Sequence, residues 1–310
     1  MDEEKYMRRA LQLAAGGEGR VAPNPMVGAV VVAHGKIIGE GYHRTYGGPH
    51  AEVNAIASVK EKDRCLLKES TIYVTLEPCS HYGKTPPCAS LIIETGIPKV
   101  VVGAPDPNPM VSGRGVRMMR EAGIEVVEGV LKDECVRINR RFMTAHTGNR
   151  PWILLKWAQS ADGFMAALNE DGSPEAVKFS SPLSLVWMHR ERANVESIMV
   201  GANTRRIDRP RLDVRHWGGK NPRVIDCGSD IDCRRVVEDL RKEGITSLMV
   251  EGGPLLLGSF IRCGLYDEIR VEESPLVLKN GLKSPELPRD VFPEERQICR
   301  ENIITRYRRI

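Results

Sequence analysis

The chain has 310 residues, 41% of them hydrophobic and 5% aromatic, and its 45 basic residues against 41 acidic ones leave a formal charge of +4. That length suits about two domains of roughly 150 residues each. The basic clusters at 137–141, 205–215 and 306–309 read as solvated faces rather than a stripe for nucleic acid, although Arg205 and Arg206 are placed to meet a phosphate. No apolar run approaches the about 20 residues that span a bilayer, and the charged start at 1–5 leads into no signal core. Eight cysteines without a compact secreted framework suggest reduced thiols, so a cytoplasmic protein is expected.

Met7, Ala10, Leu11 and Ala14 mark an amphipathic first helix, and residues 27–32 and 36–42 read as strands around a turn at His34-Gly35. His50 opens an Ala-rich helix over 51–59, residues 71–75 form a short buried strand that delivers Glu77-Pro78-Cys79, and Cys88 opens a helix through Glu94. Residues 133–146 read as a helix closing a first domain, 1–147, and Gly148 and Pro151 make a linker over 147–151. A second domain, 151–310, starts with a strand at 152–156. Further on, a strand ends in Val200-Gly201-Ala202-Asn203-Thr204, and another at 247–250 runs through Gly252-Gly253 into a helix with Pro254 in its first turn. Strand and helix signals alternate throughout, which predicts α/β architecture with parallel strands.

His50, Glu52, Cys79 and Cys88 carry the chemistry. A catalytic zinc takes about three protein ligands and leaves the fourth position to water, whose pKa falls toward about 7. His50, Cys79 and Cys88 supply that ligand set, and Glu52 is the carboxylate that moves protons. The order resembles the zinc deaminase signature, H-x-E followed by P-C-x-x-C, but eight residues separate the cysteines here. That loop, with Ser80, His81 and Lys84, is suited to an anionic substrate. The competing reading is a closed structural zinc knuckle with His43 or His81 as fourth ligand. In the second domain, a helix start after Gly252-Gly253 presents backbone N–H groups to phosphate, or is simply a tight strand-to-helix turn.

Taken with 23–28, Gly41-Tyr42-His43, Pro49-His50-Ala51-Glu52, 75–81, 83–88 and Asp106-Pro107-Asn108-Pro109, the chain resembles the bifunctional riboflavin-biosynthesis deaminase/reductase family over its whole length. The resemblance implies a cytidine-deaminase-like three-layer α/β/α domain followed by a dihydrofolate-reductase-like α/β domain. It implies zinc on His50, Cys79 and Cys88, with Asn24, His43, His81, Lys84, Asp106 and Asn108 around a phosphoribosyl pyrimidine. It further implies NADPH held by Thr204, Asp208 and Gly253, Pro254, Leu255, Leu256, Leu257, Gly258 and Ser259. Arg192, Leu212, Arg215, Glu251 and Lys156 would then hold the substrate of the reduction.

The expected partners are that small molecule and further copies of the chain, with neither nucleic acid nor membrane. Departures from the family pattern are Arg209 in place of a second Asp, Ala176-Val177-Lys178 in place of Ser-x-Trp, and a short stretch between 224–226 and 236–237 that predicts a lost cofactor-side loop. The alternatives are a deaminase with a defective reductase domain and a deaminase of cytosine or adenine in nucleic acid. Low aromatic content argues against the second.

Overall fold

The computed structural model describes residues 2–81, 86–108, 112–228 and 231–310, with Asp2 described by its backbone alone. The chain divides into two compact units, Met1–Gly148 and Asn149–Ile310.

The first unit is a five-stranded sheet between two helical layers. Its strands are β1 (Gly28–Ala33), β2 (Lys36–Tyr42), β3 (Ser70–Leu76), β4 (Lys99–Ala104) and β5 (Glu125–Glu128), and its helices are α1 (Asp2–Ala14), α2 (Ala51–Ala57), α3 (Cys88–Thr95), α4 (Arg114–Glu121), α5 (Lys132–Ile138) and α6 (Arg140–Thr147). The strand order is β2-β1-β3-β4-β5. Alternation along the strands separates two cores. Ala29, Val31, Ile72, Val74, Val100 and Val102 meet Ala51 and Ala55 of α2, Ile92 of α3 and Met119 of α4 on one face. Val30, Val32, Tyr73 and Val101 meet Tyr6, Met7 and Ala10 of α1 and Cys135 of α5 on the other.

Two expectations need correction here. Only β3-β4-β5 is parallel, whereas β1 runs antiparallel to both β2 and β3. The two-residue turn at His34 and Gly35, with φ values of 50° and 73°, closes a tight hairpin and so forces the antiparallel pairing of β1 with β2. The single helix expected over 133–146 is two, broken at Asn139. The Asn139 side chain accepts from the Met26 N–H at 2.7 Å and donates to the Met26 carbonyl at 2.9 Å. It thereby ties the break to the segment ahead of β1.

The second unit holds a seven-stranded sheet, built from β6 (Trp152–Gln159), β9 (Ser197–Val200), β10 (Arg223–Asp226), β11 (Ser247–Glu251), β12 (Glu268–Glu273), β14 (Val291–Cys299) and β15 (Asn302–Arg309) in the order β10-β9-β11-β6-β12-β15-β14. The five strands from β10 to β12 are parallel, and β15 and β14 add an antiparallel edge. A small sheet, β13-β7-β8, comes from β7 (Phe164–Leu168), β8 (Pro174–Glu175) and β13 (Leu282–Lys283). The helices are α7 (Pro182–Ala193), α8 (Ala202–Ile207), α9 (Cys233–Lys242) and α10 (Pro254–Arg262). On one face of the large sheet, α9 and α10 cover Ile153, Leu155, Val250 and Ile269. On the other, Met188 of α7 packs with Trp152, Leu154 and Met249. Helix α7 starts where Ser181 accepts the Ser184 N–H, with Pro182 in the first turn.

Candidate active sites

In the first unit three ligand-bearing side chains meet above the sheet. His50 stands at the N-cap of α2, Cys79 follows β3, and Cys88 is the first residue of α3. Their donor atoms all lie within 4.8 Å of one another. His50 Nδ1 is 3.6 Å from Cys79 Sγ and 3.3 Å from Cys88 Sγ. A tetrahedral zinc bonded at about 2.3 Å to sulfur and about 2.0 Å to nitrogen requires nitrogen-to-sulfur edges of about 3.5 Å. The residues present therefore fit that metal. The Cys88 N–H donates to Cys79 Sγ at 3.3 Å, a helix N-terminus directed at a thiolate. Hydrogen bonding from the Cys88 thiol holds Cys79 down at about 4 and correspondingly raises Cys88.

Glu52 follows His50 by two residues and is 3% exposed. Burial and the Cys79 thiolate push its carboxyl up to about 7, against the pull of His50. A carboxyl that both takes and gives a proton near neutrality is suited to general acid and base work.

Neither His43 nor His81 joins the ligand group among the described residues, which leaves the closed four-ligand alternative without its fourth histidine. Both nitrogens of His43 are otherwise engaged. Nδ1 donates to the Pro49 carbonyl at 3.0 Å, and Nε2 accepts from the Asn24 side-chain amide at 3.1 Å. Burial lowers its pKa and keeps the ring neutral. His81 is exposed, and Lys84 lies outside the described residues. Asp106 is buried, accepts the Asn108 N–H at 2.8 Å, and is raised by that burial.

Glu77 is the residue whose role went unread in the sequence. It is 4% exposed, and its carboxylate collects four backbone N–H groups. Oε2 accepts from Asp106 at 3.3 Å and Gly113 at 3.0 Å, and Oε1 from Gly115 at 3.1 Å and Val116 at 3.4 Å. It thus seats the N-terminus of α4 and the 106 segment against the cysteine loop. Asn54 does similar work beside His50, donating to the carbonyls of Tyr42 at 2.8 Å and Pro49 at 3.3 Å.

The second unit has a cavity of about 930 Å³ at the carboxyl ends of β6, β9 and β11, where ligands of parallel sheets bind. Lys156, Thr204, Asp208, Leu212, Glu251, Gly253, Pro254, Leu255, Leu256 and Ser259 line it. The stretch 253–259 does not contribute throughout. Leu257 is fully buried in the core beside Phe260, and Gly258 faces Arg262. Gly253 caps α10 without a side chain on the first-turn N–H groups. A Cβ on Gly252 would lie 3.1 Å from Leu256 and 3.3 Å from the Gly201 nitrogen, so the two turns approach closely there. An uncapped helix start in a cradle of this size fits a dinucleotide pyrophosphate.

Arg192 and Arg215 lie outside the lining. Arg192 donates from Nε and Nη2 to the two oxygens of Glu251, each at 3.0 Å, beneath the cavity wall. Burial opposes ionisation of Glu251, but Arg192, with Lys156 and Arg270, holds it at about 2. Arg215 pairs with Asp213 at the surface, and Arg205 with Asp226 at 3.4 Å.

Residues 1–104 match the model of the cytidine and deoxycytidylate deaminase zinc-binding region, and 151–230 and 220–284 match that of the RibD C-terminal domain. The riboflavin biosynthesis protein RibD of Aquifex aeolicus is 38% identical over 329 residues, covering 92% of this chain and 90% of that one. The chain belongs to the RibD family. RibD of Actinobacillus pleuropneumoniae is 45% identical over 240 residues, 76% of this chain and 62% of that one. The crystal structure of a Thermotoga maritima diaminohydroxyphosphoribosylaminopyrimidine deaminase/5-amino-6-(5-phosphoribosylamino)uracil reductase superposes with a TM-score of 0.88 at 34% identity, covering 100% of this chain and 99% of that one.

As a RibD-family member the chain is a bifunctional enzyme of riboflavin biosynthesis, a deaminase joined to a reductase. Of the positions read in the sequence as departures from the family pattern, Ala176, Val177 and Lys178 line the second cavity. Arg209 stands at φ 42°, a conformation that Asp adopts more easily. The short stretch after β10 leads directly toward α9, with 229 and 230 outside the described residues.

Proposed function

We propose that the first unit deaminates 2,5-diamino-6-(5-phosphoribosylamino)pyrimidin-4-one and the second reduces the ribosyl side chain of the product to ribityl phosphate, with zinc and NADPH as cofactors. The observation that carries this reading is the His50, Cys79 and Cys88 triangle with a buried Glu52 beside it. Zinc, when bound, supplies Lewis-acid activation of water at neutral pH. Glu52 is placed to take a proton from the attacking water and to pass it to the amino group, which leaves as ammonia. Asn24 and neutral His43 hold the pyrimidine together with Asp106 and Asn108, and His81 and, on its sequence alone, Lys84 are assigned to the phosphate.

In the second unit NADPH, when bound, supplies the hydride. Thr204, Asp208 and the start of α10 seat the cofactor. Glu251, anchored by Arg192, holds the sugar together with Leu212. Lys156, on β6 at the cavity wall, gives its proton to the ring oxygen as the sugar opens. The same reading takes the enzyme as cytoplasmic and homo-oligomeric. Among the described residues no helix is long and apolar enough to cross a membrane.

The test is mass spectrometry of the phosphoribosyl diaminopyrimidinone after incubation with zinc-loaded enzyme, with and without NADPH. Loss of ammonia followed by NADPH-dependent gain of two hydrogens supports both steps. Deamination alone in both tubes identifies a defective second unit, and no change in either sinks the reading.

A further inference from the structure

Across the face of the large sheet that carries α7, four charged residues stand in one row. Lys156 is in register with Glu251 on one neighbouring strand and with Arg270 on the other, and Arg270 is in register with Arg306 beyond it. Strands are about 4.8 Å apart, so three cations lie side by side. Arg270 is 1% exposed, and burying like charges in contact is costly without full pairing.

The carboxylates nearby are largely committed elsewhere. Glu251 accepts from Arg192 through both oxygens, and Arg306 is held by Glu191 at 2.6 Å and by Glu268. Glu272, fully buried, accepts from Asn302 at 2.7 Å and from Ser180 at 3.0 Å, and reaches Arg270 Nη1 only at 3.8 Å. Neither Nη1 nor Nη2 of Arg270 has a hydrogen-bond partner. Lys156, the one member of the row between a carboxylate and a guanidinium, makes no ion pair among the described residues and opens on the cavity.

We infer that Arg270 and Glu272 are opposed positioning residues for Lys156, the guanidinium driving the proton off its ammonium and the carboxylate holding it there. Neither lines the cavity, so both act through the lysine. The inference rests on the reductase reading of this unit, in which Lys156 protonates the sugar ring oxygen as the carbon-oxygen bond breaks, while the carbon takes the hydride of NADPH and the lysine recovers its proton from solvent.

Burial drives Lys156 below the ordinary amine range, Glu251 and Glu272 oppose this, and Arg270 and Arg192 add to it. The remaining charged groups around the cavity are Glu175, Lys178 and Asp208.

The experiment is competitive acetylation of Lys156 in the cofactor-free full chain across pH, quantified on its peptide by mass spectrometry, for wild type, Arg270→Gln and Glu272→Gln. The midpoint is expected to rise by about one pH unit in Arg270→Gln and to fall by about one in Glu272→Gln. The basic limb of kcat/KM for NADPH oxidation should move the same way in each variant. A merely structural role predicts no displacement, or the same displacement in both, and either result overturns the inference. If Arg270→Gln does not fold, a Glu272→Gln midpoint equal to wild type overturns it alone, and a fall supports it. A wild-type chain without NADPH-dependent reduction sinks the reductase reading, whereas active wild type with unmoved midpoints sinks the role of this pair.

Discussion

Glu77→Gln changes one oxygen to an amide and nothing in size, yet the geometry around it makes it severe. Each carboxylate oxygen accepts two backbone N–H groups, so the new NH2 must face one pair of donors whichever way it turns. Two buried N–H groups lose their acceptor at about 1–3 kcal/mol each, for a total of about 4 kcal/mol. The damage reaches the metal site because α4 presses on the cysteine loop. A Cβ on Gly115 would come 2.1 Å from the Pro78 carbonyl oxygen, so the start of α4 cannot shift without moving the residue before Cys79. Zinc affinity should fall by about tenfold to a hundredfold.

Chelator competition measures the affinity, and zinc release during denaturant unfolding reports the first unit. All four tryptophans, 152, 157, 187 and 217, lie in the second unit, so tryptophan fluorescence follows that unit separately and should be unmoved. A variant within about 1 kcal/mol of wild type, with unchanged zinc affinity, refutes the reasoning.

Glu52→Gln should keep stoichiometric zinc while deamination drops by about a hundredfold to ten-thousandfold; parallel loss of metal would make Glu52 a structural group. Cys79→Ser should abolish both zinc content and deamination and leave the tryptophan-reported transition in place, measured by elemental analysis and fluorescence. Arg192→Met strands the Glu251 carboxylate under the cavity, at a cost of about 3–5 kcal/mol in the second unit, read from the fluorescence transition. Because Glu251 is held at about 2, below its ordinary 4.5, it contributes stability fully above about pH 4.5 and loses it as pH falls through about 2, a loss of about 3 kcal/mol. Acid titration of the Arg192→Met chain should lack that component.

Much of the first site was legible in the order of residues. Metal ligation demands particular donor atoms, and His50, Cys79 and Cys88 announce themselves by type, as does the carboxylate two residues after the histidine. Strands such as those read at 27–32 and 71–75 and the His34-Gly35 hairpin were legible for an equally local reason, since pleating and positive φ are encoded residue by residue.

What stayed hidden depends on partners remote in sequence. Asn139 breaks a helix because Met26, 113 positions away, supplies a carbonyl and an N–H for its side chain. Glu77 reads as an ordinary acid before Pro78 until α4 brings four N–H groups to it. Leu257 and Gly258 read as cofactor contacts in a run that the helix turns inward on every third or fourth residue. In the second unit Lys156, Glu251, Arg270 and Arg306 are scattered over about half the chain, and only strand order makes them a row.

The sequence by itself determined the donor atoms of the candidate metal site and most of the strands and helices, because these follow from residue type and short-range periodicity. Tertiary structure alone decided that β1 runs antiparallel to β3 and β15 to β12, which carboxylate braces the cysteine loop and which cations share a buried face. Sheet order and hydrogen bonds between distant segments are set when the chain packs, and no local pattern specifies them.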